Sequence, residues 1–111
     1  LFVYYSDNLF TANWHSHPEN PVVSDIRTAR PAGAIFCREG KIFRPSQDCS
    51  GRYGRAVNIH EIDELTTSGF SEHRIARIRP RWKPELKGLH TLNSSGGIRV
   101  TDVYKLYKRF E

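Results

Sequence analysis

Residues 44–55 are rich in polar and aromatic side chains, and they are the part of the sequence best suited to binding or catalysis. The run combines arginines, an amide, a carboxylate and a tyrosine, which together can hydrogen-bond a polar ligand and hold an anion. A structural turn alone does not require this set. The candidate ligand-binding residues of the run are Arg44, Gln47, Asp48, Tyr53 and Arg55. Asp48 is the best single catalytic candidate, with the alternative that it caps a turn and pairs with Arg44, Arg52 or Arg55.

A β-hairpin is predicted to present this run. Residues 34–37 and 41–44 are typical of strands, Glu39-Gly40 is typical of the turn between them, and a polar loop is expected to follow. Further strands are predicted at residues 1–5, 55–60, 71–78, 89–92 and 98–104, with a hairpin loop at residues 93–97. The spacing of the four strands within residues 33–79 predicts an antiparallel meander. The fold class is therefore mainly all-β: a four-stranded meander like a β-propeller blade, with partial flanking strands.

Three segments are less regular. Residues 61–65 are predicted to form a turn of helix between two strands. Val103, Leu106, Tyr107 and Phe110 recur at helical spacing, so a short C-terminal helix over residues 102–110, capped by Asp102, competes with a continuing strand. Residues 13–29 are long and irregular, and loops of that length are often functional.

The composition indicates one small domain spanning residues 1–111, with a net charge of +5. No apolar run reaches the roughly 18 residues of a membrane span, and residues 1–7 do not resemble a secretion signal. No membrane partner is therefore expected, and the location defaults to the cytoplasm. The chain contains no methionine. It is therefore expected to be processed, a fragment, or begun at an alternative start codon.

Basic residues are densest over residues 73–83, which favours a solvated outer strand whose arginines discourage edge pairing. The alternative is a nucleic-acid surface that also uses Trp82 and Tyr104 or Tyr107. The two cysteines are too few for a disulfide framework or a metal site. Cys37 is expected to be buried. No metal and no cofactor are predicted.

Several ordered segments give the chain a family resemblance. They are LFVYYS (1–6), WHSHPENPV (14–22), RPAG (30–33), RPSQDCS (44–50) with Tyr53-Gly54, Leu65-Thr66 and GLHTLN (88–93). With these the chain resembles the C-terminal part of five-bladed β-propellers related to arabinanases and β-xylosidases. In particular, it resembles the propeller domain found in glucosamine inositolphosphorylceramide transferases and related bacterial proteins.

The resemblance implies a sugar site near the central channel, to which Arg30, Gln47, Asp48, Tyr53, Arg55 and His90 map. It also favours His90 as a core or channel-lining residue over a metal ligand, and His15 and His17 as loop-packing residues. Glycoside hydrolysis needs two carboxylates about 5–10 Å apart, and Asp48 has no evident second member. A carbohydrate-related β-domain that is non-catalytic alone is therefore expected, with a sugar or anionic glycan as ligand.

Two other functions stay open. One is a basic nucleic-acid-binding module, although nucleic acid is less favoured as a partner than a carbohydrate. The other is an oligomeric structural protein without a ligand. A complete propeller needs several four-stranded blades, whereas 111 residues supply about one. The exposed sheet edges of such a chain predict a homo-oligomer that buries them.

Overall fold

Antiparallel strands make up the regular secondary structure of the computed structural model, which describes residues 1–107. These strands are β1 (Tyr4–Tyr5), β2 (His15–Ser16), β3 (Arg30–Pro31), β4 (Phe36–Arg38), β5 (Lys41–Asp48), β6 (Ala56–Leu65), β7 (Phe70–Ile78), β8 (Leu86–Ser95) and β9 (Ile98–Lys105). β1 pairs with β2, and β8 pairs with β9. β3 to β7 form one sheet, in which β4, β5, β6 and β7 pair in sequence order. The all-β prediction and the antiparallel meander are confirmed.

The β4–β5 hairpin forms where the turn residues predict it. Glu39 and Gly40 have φ values of 52° and 75°, the left-handed conformation that two-residue hairpin turns require. Phe36 and Phe43 lie opposite each other across the two strands, with ring centroids 5.3 Å apart. Cys37, in contrast, is exposed, so its predicted burial is wrong. Alternate residues of a strand face opposite ways, and Phe36 takes the inward position.

β5 is longer than predicted and occupies the centre of the five-stranded sheet. It continues through Asp48 and pairs with β6 on one side, so the predicted polar loop is strand as far as residue 48. On the other side β4 pairs with residues 41–43 and β3 with Ser46 and Gln47. Pro45, which has no amide hydrogen to donate, lies where the partner changes from one strand to the other.

The apolar core lies between this sheet and β8. Val57 and Ile59 of β6 are buried with Ala32 and Leu89, and the half-buried Leu92 packs against them. Two backbone hydrogen bonds join β8 to the rest: Leu92 N donates to Ala32 O at 2.7 Å, and Leu89 N donates to Gly54 O at 3.0 Å. The β8–β9 hairpin is therefore docked on the sheet rather than paired with it.

The N-terminal hairpin is attached through His17. This residue is buried, and its Nε2 lies 3.2 Å from Thr66 O in the β6–β7 turn. Its Nδ1 accepts a hydrogen bond from Glu19 N at 3.1 Å. The loop-packing role predicted for His17 is confirmed. The centroid of the His15 ring lies 5.4 Å from that of the Tyr5 ring.

Both helical predictions are wrong within the described residues. Residues 61–65 continue β6, because Leu65 still pairs with Phe70 of β7. Residues 102–105 belong to β9, where pairing with β8 overrides the apolar spacing. Residues 108–110 of the predicted helix lie outside the described part.

Candidate ligand-binding site

Three of the predicted site residues come together around an exposed tyrosine. Tyr53 is 59% exposed, although it is aromatic. The guanidinium carbon of Arg30 lies 5.1 Å from the centroid of its ring. The His90 ring meets it edge-on, with centroids 5.2 Å apart. Arg30, from β3, and His90, from β8, are 60 residues apart in the sequence numbering, so the fold brings together groups that only the resemblance had associated.

The loop that carries Tyr53 is held against β8. Arg52 donates a hydrogen bond from its guanidinium to Lys87 O, and Gly54 O accepts one from Leu89 N. The approach is so close that a Cβ on Gly88 would lie 2.2 Å from Gly54 O. Only glycine at residue 88 therefore allows this contact.

Asp102 fixes the orientation of His90. A β-bulge separates Leu89 from Leu92 in the β8–β9 ladder, and Asp102 of β9 lies opposite it. Asp102 Oδ1 accepts hydrogen bonds from the amide and the hydroxyl of Thr91, both at 2.7 Å, and its Oδ2 contacts His90 Nδ1. Partial burial acts to raise the pKa of Asp102, but the Thr91 hydrogen bonds and the His90 ring lower it overall.

This role of Asp102 is not visible in the sequence, whose pattern predicts a helix cap at this residue. Only the pairing of β9 with β8 places it beside His90. The carboxylate–histidine contact is typical of sites in which one ring nitrogen is held so that the other points in a defined direction.

A groove of about 590 Å³ opens beside these residues. Its lining mixes apolar walls with polar and aromatic groups: Arg52, Tyr53, Gly54, Leu89, His90, Asp102, Val103, Tyr104 and Leu106. Small-molecule sites commonly have such apolar walls with a few converging polar groups.

Asp48, by contrast, is buried in the sheet. Its Oδ1 accepts hydrogen bonds from the amide and hydroxyl of Ser50, and its Oδ2 contacts the Arg77 guanidinium. Burial acts to raise its pKa, but the Ser50 hydrogen bonds and the charges of Arg77 and Arg55 lower it overall. The turn-capping alternative agrees with these contacts, with Arg77 as the paired arginine in place of the three that the sequence suggested.

The other predicted residues also lie away from the Tyr53 ring. Gln47 is buried and donates from Nε2 to Pro31 O at 3.3 Å. Arg55 is exposed and donates to Ser50 Oγ at 3.2 Å. Arg44 is buried, and its Nε donates to Glu72 Oε2 at 2.7 Å. Their part in ligand binding stays a prediction.

A buried row of hydrogen-bonded side chains, which the sequence did not reveal, lies on the same face of the sheet as Arg44. Ser46 Oγ lies 2.8 Å from His60 Nε2, and His60 Nδ1 lies 3.4 Å from Glu72 Oε1. The order resembles the serine–histidine–carboxylate arrangement of hydrolases. However, Ser46 is completely buried, so no substrate can reach its hydroxyl. We therefore assign Ser46 a structural role, and Arg44 beside it holds the loop at residues 25–28 by donating to Thr28 O at 2.9 Å.

Residues 1–107 contain no cluster of three or more histidine, cysteine, aspartate or glutamate residues arranged to hold a metal ion. Likewise, these residues form no helix long and apolar enough to cross a membrane.

Comparisons with known proteins agree on one family. Curated relatives named glucosamine inositolphosphorylceramide transferase 1 include one from Oryza sativa subsp. japonica, 38% identical over 74 residues, which are 65% of this chain and 10% of that protein. One from Oryza sativa subsp. indica is 41% identical over 61 residues, 53% of this chain and 8% of the relative. One from Arabidopsis thaliana is 30% identical over 74 residues, 65% of this chain and 10% of the relative.

The chain thus spans about a tenth of the length of these relatives. No solved structure matches it. The family model, in contrast, matches residues 1–106, nearly the whole chain. The chain therefore belongs to the family described as glucosamine inositolphosphorylceramide transferase 1, N-terminal.

Proposed function

We propose that this chain is a sugar-binding segment of a β-propeller-like domain, and that it binds a phosphorylated sugar or polyol in the groove beside Tyr53. The relatives' name joins glucosamine with inositolphosphorylceramide, which supports a ligand of sugar or inositol phosphate chemistry. The role is binding and positioning, and group transfer belongs to a larger protein.

The proposal is supported mainly by the groups that surround the Tyr53 ring. Tyr53 is 59% exposed as a residue, and the Arg30 guanidinium carbon and the His90 ring centroid lie 5.1 Å and 5.2 Å from the centroid of its ring, so an aromatic surface lies next to a cation. Sugars present apolar C–H faces to aromatic rings, while arginine suits phosphate oxygens through its planar set of donors. Tyr53 and His90 line the groove, and Arg30 lies beside it against the Tyr53 ring.

Catalysis by this chain alone is not supported by the positions of its carboxylates. Asp48 is buried and paired with Arg77, so a ligand in the groove does not reach it. Asp102 is committed to Thr91 and His90. A glycoside-cleaving pair needs two accessible carboxylates, one as acid and the other as base or nucleophile.

The propeller assignment rests on the arrangement of the sheets. β4 to β7 form a four-stranded antiparallel meander, and β8–β9 packs face to face against it through Leu89 and Leu92. Propeller blades are four-stranded sheets that pack on one another in this way. Exposed apolar residues on β9, including Ile98, Val100 and Tyr104, are consistent with a further sheet covering that hairpin.

Isothermal titration calorimetry with myo-inositol phosphate and with glucosamine tests the proposal. Tyr53→Ala and Arg30→Gln should each weaken binding of the phosphate by about tenfold or more. Tyr4→Ala and Arg38→Gln are the matched controls, since Tyr4 is 55% exposed and Arg38 is exposed on the β4–β5 hairpin. Equal losses in controls and test variants, or no saturable binding to either probe, would refute the proposal.

A nucleic-acid surface is the second candidate. β7 is an edge strand, and the mutual repulsion of Arg77, Arg79 and Arg81 lowers the pKa of Arg79, with some burial adding to the effect. Trp82 is exposed beside them. Binding to single-stranded DNA that falls steeply with salt and is lost in Arg79→Gln, but not in Tyr53→Ala, would favour this function.

A further inference from the structure

The turn at the tip of the β1–β2 hairpin displays two large apolar side chains. Asn8 O accepts a hydrogen bond from Thr11 N at 3.3 Å, which places Leu9 and Phe10 at the two central positions of a β-turn. Leu9 is 72% exposed and Phe10 is 93% exposed. Turns in water usually carry polar residues or glycine at such positions, so the turn geometry alone does not explain this pair.

Several backbone amides of the tip donate hydrogen bonds to acceptors within it. Phe10 N donates to Asn8 Oδ1 at 2.9 Å, and Asn8 N donates to Ser6 Oγ at 3.2 Å. Asn13 N donates to Thr11 Oγ1 at 3.1 Å. Amides that are already bonded can leave water at little cost, whereas unbonded ones cannot. The bonded amides of Asn8, Phe10 and Asn13 therefore add little to the cost of moving the tip out of water.

Trp14 stands at the base of this tip. It is partly exposed, and its indole Nε1 donates to Thr11 O at 3.0 Å, so the indole leans back toward the turn. The indole of Trp14 thus combines an apolar ring with an N–H group that already has an acceptor. Tryptophan side chains are enriched at the interface between water and lipid for their combination of apolar and polar character.

We propose that Leu9 and Phe10 insert into the surface of a lipid bilayer, with Trp14 at the level of the headgroups. The sequence predicted no membrane partner because it lacks a spanning run. Contact with the interface, however, requires only a few apolar side chains on a stable support. Asp7 is the single charged side chain among residues 1–14, so the contact does not depend on anionic lipid.

Lipid fits better than a protein groove as the occupant. A specific protein partner is normally recognised through hydrogen bonds at defined positions as well as apolar contact. The backbone amides of Asn8, Phe10 and Thr11 already have acceptors within the tip. What the tip offers is non-directional apolar surface, which matches a fluid hydrocarbon boundary.

Vesicles of phosphatidylcholine provide the test. In a Trp82→Phe background Trp14 is the single tryptophan of the chain. Its fluorescence should shift to shorter wavelength on adding vesicles, and lipids brominated on the acyl chains should quench it. Replacing both tip residues, Leu9→Ser with Phe10→Ser, should weaken vesicle binding by at least about tenfold. Ile26→Ser is the matched control, because Ile26 is 64% exposed on another loop.

Three results would overturn the proposal. They are a chain that does not bind the vesicles, a doubly substituted chain that binds as well as the original, and self-association without lipid that requires Leu9 and Phe10. The last would assign the tip to a second copy of the chain. Circular dichroism checks that the variants are folded, and Tyr53→Ala should leave vesicle binding unchanged because the groove is a separate site.

Discussion

Replacement of Glu72 by alanine should be among the most destabilising single changes in this chain. Glu72 and Arg44 form a buried ion pair, with exposed side-chain fractions of 8% and 4%. Arg44 Nε and NH2 bind the two carboxylate oxygens, and NH2 also donates to Thr28 O at 2.9 Å. Arg44 NH1 has no hydrogen-bond partner among residues 1–107. Glu72 is therefore the main compensation for a buried positive charge.

The expected cost follows from that imbalance. Removing one member of a buried ion pair typically destabilises a protein by about 3–5 kcal/mol, because the other charge remains buried. Domains of this size unfold with about 5–15 kcal/mol in total. The variant should therefore lose roughly a third to a half of the stability of an average domain. Urea slopes of about 1–3 kcal/mol/M convert the loss into a midpoint lower by at least about 1 M.

Equilibrium urea unfolding followed by tryptophan fluorescence measures this shift. Glu61→Ala is the matched control, since Glu61 pairs with the exposed Lys41 at 2.8 Å on the neighbouring strand. Because Lys41 is exposed, water screens this pair, and its loss should cost less than that of the buried pair. A double-mutant cycle with Arg44→Met should give strong coupling, and the double variant should be more stable than Glu72→Ala alone. Midpoints of Glu72→Ala and Glu61→Ala that agree within error would refute the reasoning.

The remaining predictions concern pH, loop packing and association. Burial lowers the pKa of His60 below its ordinary value of 6.5. At this residue the unfolded state therefore binds more protons, so the contribution of His60 to the urea midpoint, measured as the difference from a His60 variant, should be constant above pH 6.5 and fall below it; a variant that keeps the same fall would contradict this. Gly88→Ala should displace Gly54 and weaken myo-inositol phosphate binding, because a Cβ would lie 2.2 Å from Gly54 O; unchanged calorimetric affinity would argue against the contact. We further propose that β9 pairs with a second copy, so that Val100→Lys should lower the sedimentation coefficient at high concentration; a monomer before substitution would exclude it.

Local turn chemistry explains which parts of the fold the sequence could predict. Glu39-Gly40 favours a two-residue hairpin turn, and the β4–β5 hairpin forms there. The spacing of the strands within residues 33–79 likewise predicts the observed meander. These signals depend on neighbours within a few positions, so one sequence contains them.

The errors arose where distant partners decide the structure. Residues 45–48 are polar enough to suggest a loop, yet they continue the strand, in which Glu72 and Arg77 of β7 neutralise Arg44 and Asp48. Val103 and Leu106 have helical spacing, but pairing with β8 makes residues 98–105 a strand. Asp102 was missed for the same reason. None of these partners can be identified from spacing along the chain.

The residues that stabilise the fold and the residues proposed to bind the ligand lie at different positions on the five-stranded sheet. Arg44, His60 and Glu72 lie on the face covered by residues 25–28, whereas Tyr53 lies where the loop after β5 meets β8. Glu72→Ala should therefore lower the urea midpoint. Under conditions in which the variant is folded, its affinity for myo-inositol phosphate should be unchanged. Gly88→Ala should alter both, because it acts on the loop contact itself. Loss of affinity in fully folded Glu72→Ala would show instead that the two faces are coupled through β5 and β6.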